Sequence, residues 1–193
     1  MEPRLFGGPP ASSGPEPYAD HLVRLGRLPS RGAAPAVIPV LEASGLLGRG
    51  GAGFPVGRKW RSVAGQPGGR PVVLVNGAEG EPLSAKDRTL LRLRPHLVLD
   101  GALLAADAVG ADRVALYIGS AHRDARSSIR GALAERRDLR VAIDLLDAPD
   151  TYVAGEESAA VHFVNAADAR PTVTPPRPCR RRACRASRAS SRG

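Results

Sequence analysis

The run Pro71-Val72-Val73-Leu74-Val75 is apolar at every position, and it limits the possible folds more than any other stretch. A strand with one wet face alternates polar and apolar residues. A short strand without polar positions has to be covered on both faces, as in a parallel sheet flanked by helices. Two further strands are expected, Arg113–Ile118, with Val114, Leu116 and Ile118 prominent, and Leu139–Leu145. Helical patterns separate them. Lys86-Asp87-Arg88 with Leu90–Leu93 runs up to Pro95, and Leu97–Val109 is a small-residue apolar helix closed by Gly110. Asp124–Arg136 is a polar helix, and Gly155–Phe163 a final one. Strands alternating with helices predict a layered α/β domain with parallel strands.

Upstream, Ala34–Leu47 reads as a helix with Pro35 in its first turn and Val37, Ile38, Leu41 and Leu46 on one side; Gly45 and Gly48 stop it. Residues 1–33 are rich in Gly, Pro, Ser and Arg and are expected to form a mobile arm with a short helix around Tyr18–Leu25. Residues 34–170 form the domain, and residues 171–193 a disordered tail. The chain of 193 residues is long enough for one core. Its net charge of +9 lies mostly in seven arginines after Pro176, with no acid beyond Asp168, so the body gives no reason to expect a specific nucleic-acid partner. No run is long and apolar enough to span a bilayer, and no secretory pattern opens the chain. These features predict a cytoplasmic protein. Two cysteines, Cys179 and Cys184, make no disulfide framework. His21, His96, His122 and His162 have no metal-ligand spacing, and no metal site is expected.

Three clusters carry candidate chemistry. The first is Gly48-Arg49-Gly50-Gly51-Ala52-Gly53-Phe54-Pro55-Val56-Gly57-Arg58-Lys59-Trp60. Four glycines in six positions free the backbone to expose its amides, and Arg49, Arg58 and Lys59 place cations beside them. That combination suits a phosphate, and equally a tight surface turn. The second cluster, Asn76-Gly77-Ala78-Glu79-Gly80-Glu81-Pro82, follows the first strand, where ligands of open parallel sheets collect. Its residues also suit a solvated acidic turn. The third is Tyr152-Val153-Ala154-Gly155-Glu156-Glu157-Ser158. Its two acids complement a helix start; alternatively, Gly155 admits a ring while Tyr152 and a glutamate line a site.

In this order, and with Lys86-Asp87-Arg88 and Pro95-His96-Leu97 between the second and third, the clusters resemble the NADH-binding flavoprotein subunit of respiratory complex I. In bacteria this is the F subunit of NADH-quinone oxidoreductase, with relatives in NAD-reducing hydrogenases and formate dehydrogenases. The resemblance covers roughly Ser44–Pro178. It implies a Rossmann-like, three-layer α/β domain with a mainly parallel sheet that binds FMN and NAD(H). Hydride would pass from NADH to the flavin, and electrons would leave through a 4Fe-4S cluster. By motif position, Gly48, Arg49, Gly50, Gly51, Ala52, Gly53, Phe54, Gly57 and Lys59 would bind the nucleotide, with Lys59 near the flavin phosphate. Asn76, Glu79 and Glu81 would sit beside the flavin and nicotinamide. Tyr152, Gly155, Glu156 and Glu157 would line the NADH side, and Glu79 is the one residue expected to influence protonation.

The chain departs from that family in several places. Ala78 stands where the family usually carries aspartate, and Asn-Gly-Ala-Glu is the pattern of RnfC-type electron-transfer subunits. The four-cysteine cluster motif is absent, and Cys179 with Cys184 cannot replace it. After about Pro178 the chain turns into Arg, Ser, Ala and Cys, which predicts a truncation or a change of reading frame. The resemblance implies an NADH:acceptor oxidoreductase or, failing catalysis, a nucleotide-binding or subunit-interaction remnant. It also implies a thioredoxin-like iron–sulfur partner subunit, through which the protein would lie at the membrane's inner face.

Overall fold

The computed structural model describes residues 7–31, 36–48, 53–80 and 83–171. Strands β1 (Val72–Gly77), β2 (Arg113–Gly119) and β3 (Ala142–Ala148) form a parallel sheet in the order β1-β2-β3. Parallel neighbours need crossover connections, and right-handed crossovers advancing in one direction leave their helices on one face. Helices α4 (Lys86–Leu93) and α5 (Pro95–Val109) join β1 to β2, and α6 (Arg123–Glu135) joins β2 to β3. Beneath them lies the main core, in which Leu91, Leu99, Ala102 and Ile129 meet Val114, Leu116 and Ile118.

The intervening β2 residues point the other way. Ala115 packs with Val164, and Tyr117 with Ala160 and Phe163, both against helix α7 (Glu157–Ala166). Strand β2 is thus buried from Val114 to Ile118, and the layers run helices, sheet, helix. This is the Rossmann-like α/β arrangement the strand pattern and the resemblance imply. Two further helices, α2 (Val37–Ser44) and α3 (Val56–Ala64), pair with each other and lean on α5.

Several boundaries differ from the sequence reading, and two of the differences have a plain physical cause. Helix α5 starts at Pro95, not Leu97, because proline at the first helical position gives up an amide that has no partner there anyway. Strand β3 begins at Ala142, three residues later than expected, where it comes into register with Arg113. The residues before it are engaged elsewhere: Arg136 is buried on Asp100 and Asp138, and Arg140 binds Asp107 and the carbonyl of Pro29.

The larger difference concerns residues 7–31, where the sequence suggests a mobile arm. Helix α1 (Tyr18–Leu25) forms as expected, but the segment is docked on α5 by polar contacts. The Glu16 amide donates to the Leu93 carbonyl at 3.1 Å, and Arg94 donates to the Pro9 carbonyl at 2.7 Å. His21 Nε2 lies 2.7 Å from Asp100 Oδ2. Arg24 grips buried Glu16 through two bonds of 2.8 Å. Arg136 donates to Asp100 at 2.6 Å and stands 4.9 Å from the centre of the Tyr18 ring. A search for apolar periodicity misses such an anchor, because charge pairing supplies what apolar area does not.

Acid should loosen this joint. Burial lowers the pKa of His96, whose ring nitrogens have no hydrogen-bond partner. The Arg136 guanidinium holds the Asp138 carboxyl down at about 2. A depressed histidine costs stability as pH falls below its unfolded value of 6.5. A depressed aspartate stabilises above its unfolded value of 3.8 and loses that contribution as pH falls toward 2. Stability is therefore expected to decline on acidification from near pH 6.5, with a second fall below pH 4. Asp100→Asn, which removes the charge shared by His21 and Arg136, should cost about 3 kcal/mol in urea unfolding at pH 7.

Candidate functional site

At the carboxyl end of β1, Asn76 is exposed and uses both ends of its amide. Nδ2 donates to the Gly155 carbonyl at 2.8 Å, and Oδ1 accepts the Ala78 amide at 3.2 Å. Gly155 closes a 3-10 turn, Tyr152–Gly155, and lies directly on the turn after β1. A Cβ at Gly155 would stand 2.3 Å from the Ala78 carbonyl oxygen and 3.2 Å from the Gly80 nitrogen. The second and third clusters are therefore in contact.

The first cluster joins them from the side. The Gly48 amide donates to the Phe54 carbonyl at 2.9 Å, the Val56 amide donates to the Leu46 carbonyl at 3.0 Å, and Leu47 bridges Pro55. The residues that flank the glycine stretch, Leu46–Gly48 after α2 and Phe54–Val56 before α3, are thus held together, and Gly53 has a φ of 53° that favours glycine. Lys59 on α3 donates to Glu157 Oε1 at 2.7 Å, linking α3 to the start of α7. The first turn of α3 has no capping side chain and no acidic residue, and Arg58 and Lys59 lie within it. A helix start without a capping side chain, beside two cations, makes an anion-attracting end.

Several predicted residues have structural work. A Cβ at Gly57 would come within 2.6 Å of Glu42 Cγ and 2.8 Å of the Glu42 nitrogen, so Gly57 lets α3 pack against α2. Glu156 caps α7, accepting from the Ser158 amide at 3.2 Å and from the Ser158 hydroxyl. Glu157, 65 % exposed, is engaged with Lys59. The Glu79 carboxyl is 3 % exposed. Desolvation pushes its pKa up, but the Ser84 hydroxyl, the Asp87 and Arg88 amides and nearby Lys86 together hold it below the ordinary value.

Phe54 is exposed, as are Leu46, Leu47, Leu83 and Val153 on the same segments. The predicted residues Arg49, Gly50, Gly51, Ala52 and Glu81 lie outside the described residues, as do Cys179 and Cys184. The Tyr152 backbone belongs to the 3-10 turn. Among the described residues no cluster of His, Cys, Asp or Glu is arranged to hold a metal ion, and no helix is long and apolar enough to cross a membrane. The sequence reading missed Ser84 and gave no role to Ser158, the last residue of the third cluster. Ser84-Ala85-Lys86-Asp87 has the serine-x-x-acid spacing of a helix start, a signal that could have found the first.

Comparisons with known proteins identify a family. A family model described as the Nuo51 FMN-binding domain matches residues 41–182. The chain is 36% identical over 155 residues to the F subunit of NADH-quinone oxidoreductase from Rhodobacter capsulatus, a match covering 74% of this chain and 36% of that one. Against the F 1 subunit of the same enzyme from Rhizobium meliloti the identity is 33% over 154 residues, with the same two shares. The chain thus spans 36% of the length of each of these curated relatives. An NAD+-reducing nickel–iron hydrogenase in its H2-reduced state superposes with a TM-score of 0.63 at 33% identity, over 73% of this chain and 25% of that one.

Gly155→Ala should be poorly tolerated, because its methyl group meets backbone. A loss of about 2 kcal/mol is expected from overpacking, measured as a lowered midpoint in chemical denaturation.

Proposed function

This chain belongs to the Nuo51 FMN-binding domain family, and we propose that it holds FMN at the carboxyl ends of its strands and accepts hydride from NADH there. One observation carries the reading. Asn76–Gly155 and Lys59–Glu157 draw the first turn of α3, the turn after β1 and the start of α7 together, at the sheet end where α/β folds bind ligands.

The residues present fit a flavin mononucleotide. Its phosphate needs donors and positive charge, and the uncapped first turn of α3 with Arg58 and Lys59 supplies both. Lys59 is free to change partners, since an exposed ion pair such as Lys59–Glu157 contributes about 0–1 kcal/mol. The Asn76 amide lies at the strand end, where a polar ring edge would find a donor and an acceptor. Tyr152, Gly155, Glu156 and Glu157 would form the NADH side, and the exposed Phe54 and Val153 would cover apolar ring surface. Bound there, FMN supplies the two-electron chemistry and the release of single electrons, while the protein binds and orients it. Onward transfer would go to an iron–sulfur partner subunit.

The test is direct. Protein purified without added cofactor, or reconstituted with FMN, should show a flavin spectrum that bleaches with NADH under anaerobic conditions. Lys59→Met should weaken FMN binding about tenfold and flatten its dependence on salt, as expected on removing one charge-assisted contact. A colourless protein that cannot be reconstituted would overturn the reading.

A further inference from the structure

Among the described acidic side chains of the three clusters, Glu79 is the one shut away from solvent. Its carboxyl oxygens accept from the Ser84 hydroxyl, from the Asp87 amide at 3.2 Å and from the Arg88 amide at 3.5 Å. Lys86 Nζ lies 3.6 Å away. A carboxylate offers about four acceptor positions; three hydrogen bonds fill three of them, and the Lys86 ammonium faces the carboxylate as an ion pair. The acceptors are needed, because α4 starts after Ala85, whose methyl group caps nothing. Glu79 therefore caps the helix from outside it, across the turn.

The helix it caps is fixed to the domain. Leu91 of α4 packs so closely on β1 that a Cβ at Gly77 would come within 2.7 Å of it, and the Arg92 carbonyl accepts from Ser128 of α6 at 2.7 Å. The turn that Glu79 anchors is the one on which Gly155 rests. The turn is thus held at two points, by the Asn76 amide at its start and by the Glu79 carboxylate beyond it.

We propose that Glu79 is a positioning residue, which shapes the site by tying the turn after β1 to the amino end of α4 and makes no contact with a bound flavin or nicotinamide. The proposal rests on the FMN reading only for its flavin readout. The resemblance implies a more direct role for Glu79, beside the flavin and influencing protonation, and the two make different predictions.

The experiment compares the full chain as wild type, Glu79→Gln and Ser84→Ala. Hydrogen exchange would be followed at the Asp87 and Arg88 amides, together with FMN affinity and the reduction potential of bound FMN. Loss of a helix cap should speed exchange at those amides about fivefold in Glu79→Gln, with a smaller change in the same direction in Ser84→Ala. FMN affinity should fall by a similar factor, and the potential of the FMN that still binds should stay at the wild-type value. Unchanged exchange in both variants overturns the proposal. So does a shifted flavin potential in Glu79→Gln, with or without faster exchange, because the carboxylate would then face the ring. If Glu79→Gln does not fold, Ser84→Ala carries the test alone. If wild-type protein binds no FMN, the functional reading falls, and the exchange measurement still decides whether Glu79 caps α4.

Discussion

Strand β2 has no face turned to solvent, and the rest of the domain is arranged to meet that condition. Val114, Leu116 and Ile118 require cover on one side, Ala115 and Tyr117 on the other. Each fully buried aliphatic side chain contributes about 1.5–3 kcal/mol. One-directional crossovers place α4, α5 and α6 on the first side. The second is covered by chain that follows β3, so α7 has to return across the sheet toward β1. That return brings Gly155 onto the turn after β1. The meeting of the second and third clusters is therefore a by-product of covering the second face.

The first face carries a further layer held differently. Residues 7–31 bury little apolar surface and are fastened by Glu16, His21, Arg24, Arg94, Asp100 and Arg136. Buried ionic groups gain little over well-packed apolar ones, but they are costly to break singly. Such a joint favours one docked arrangement over many, and it is sensitive to protonation where an apolar joint would not be.

At the site, backbone closeness and side-chain capping divide the work. Gly155 and Gly57 are needed because backbone or a neighbouring helix occupies the space a methyl group would take. Glu156 and Glu79 satisfy helix starts that their own sequence neighbours leave bare. Lys59 and Glu157 form an exposed charged pair across the opening between α3 and α7. The groups best placed to meet a ligand are those whose present bonds are weak.

The class of fold is written in local sequence, and so is the position of the candidate clusters along it. The unbroken apolar run at Val72–Val75 demands cover on two faces. Two of the three glycine- and acid-bearing clusters follow predicted strands, where α/β folds bind ligands. These are properties of composition and period, legible without coordinates. Which of the clustered residues are free for chemistry is a matter of tertiary contact. The Glu79 carboxylate reaches an amide eight positions on, His21 docks on Asp100 across 79, and Lys59 meets Glu157 across 98. No short window of sequence contains both partners of the last two contacts. An acidic residue reads the same whether it faces a ligand or caps a helix, until the fold shows which donors surround it.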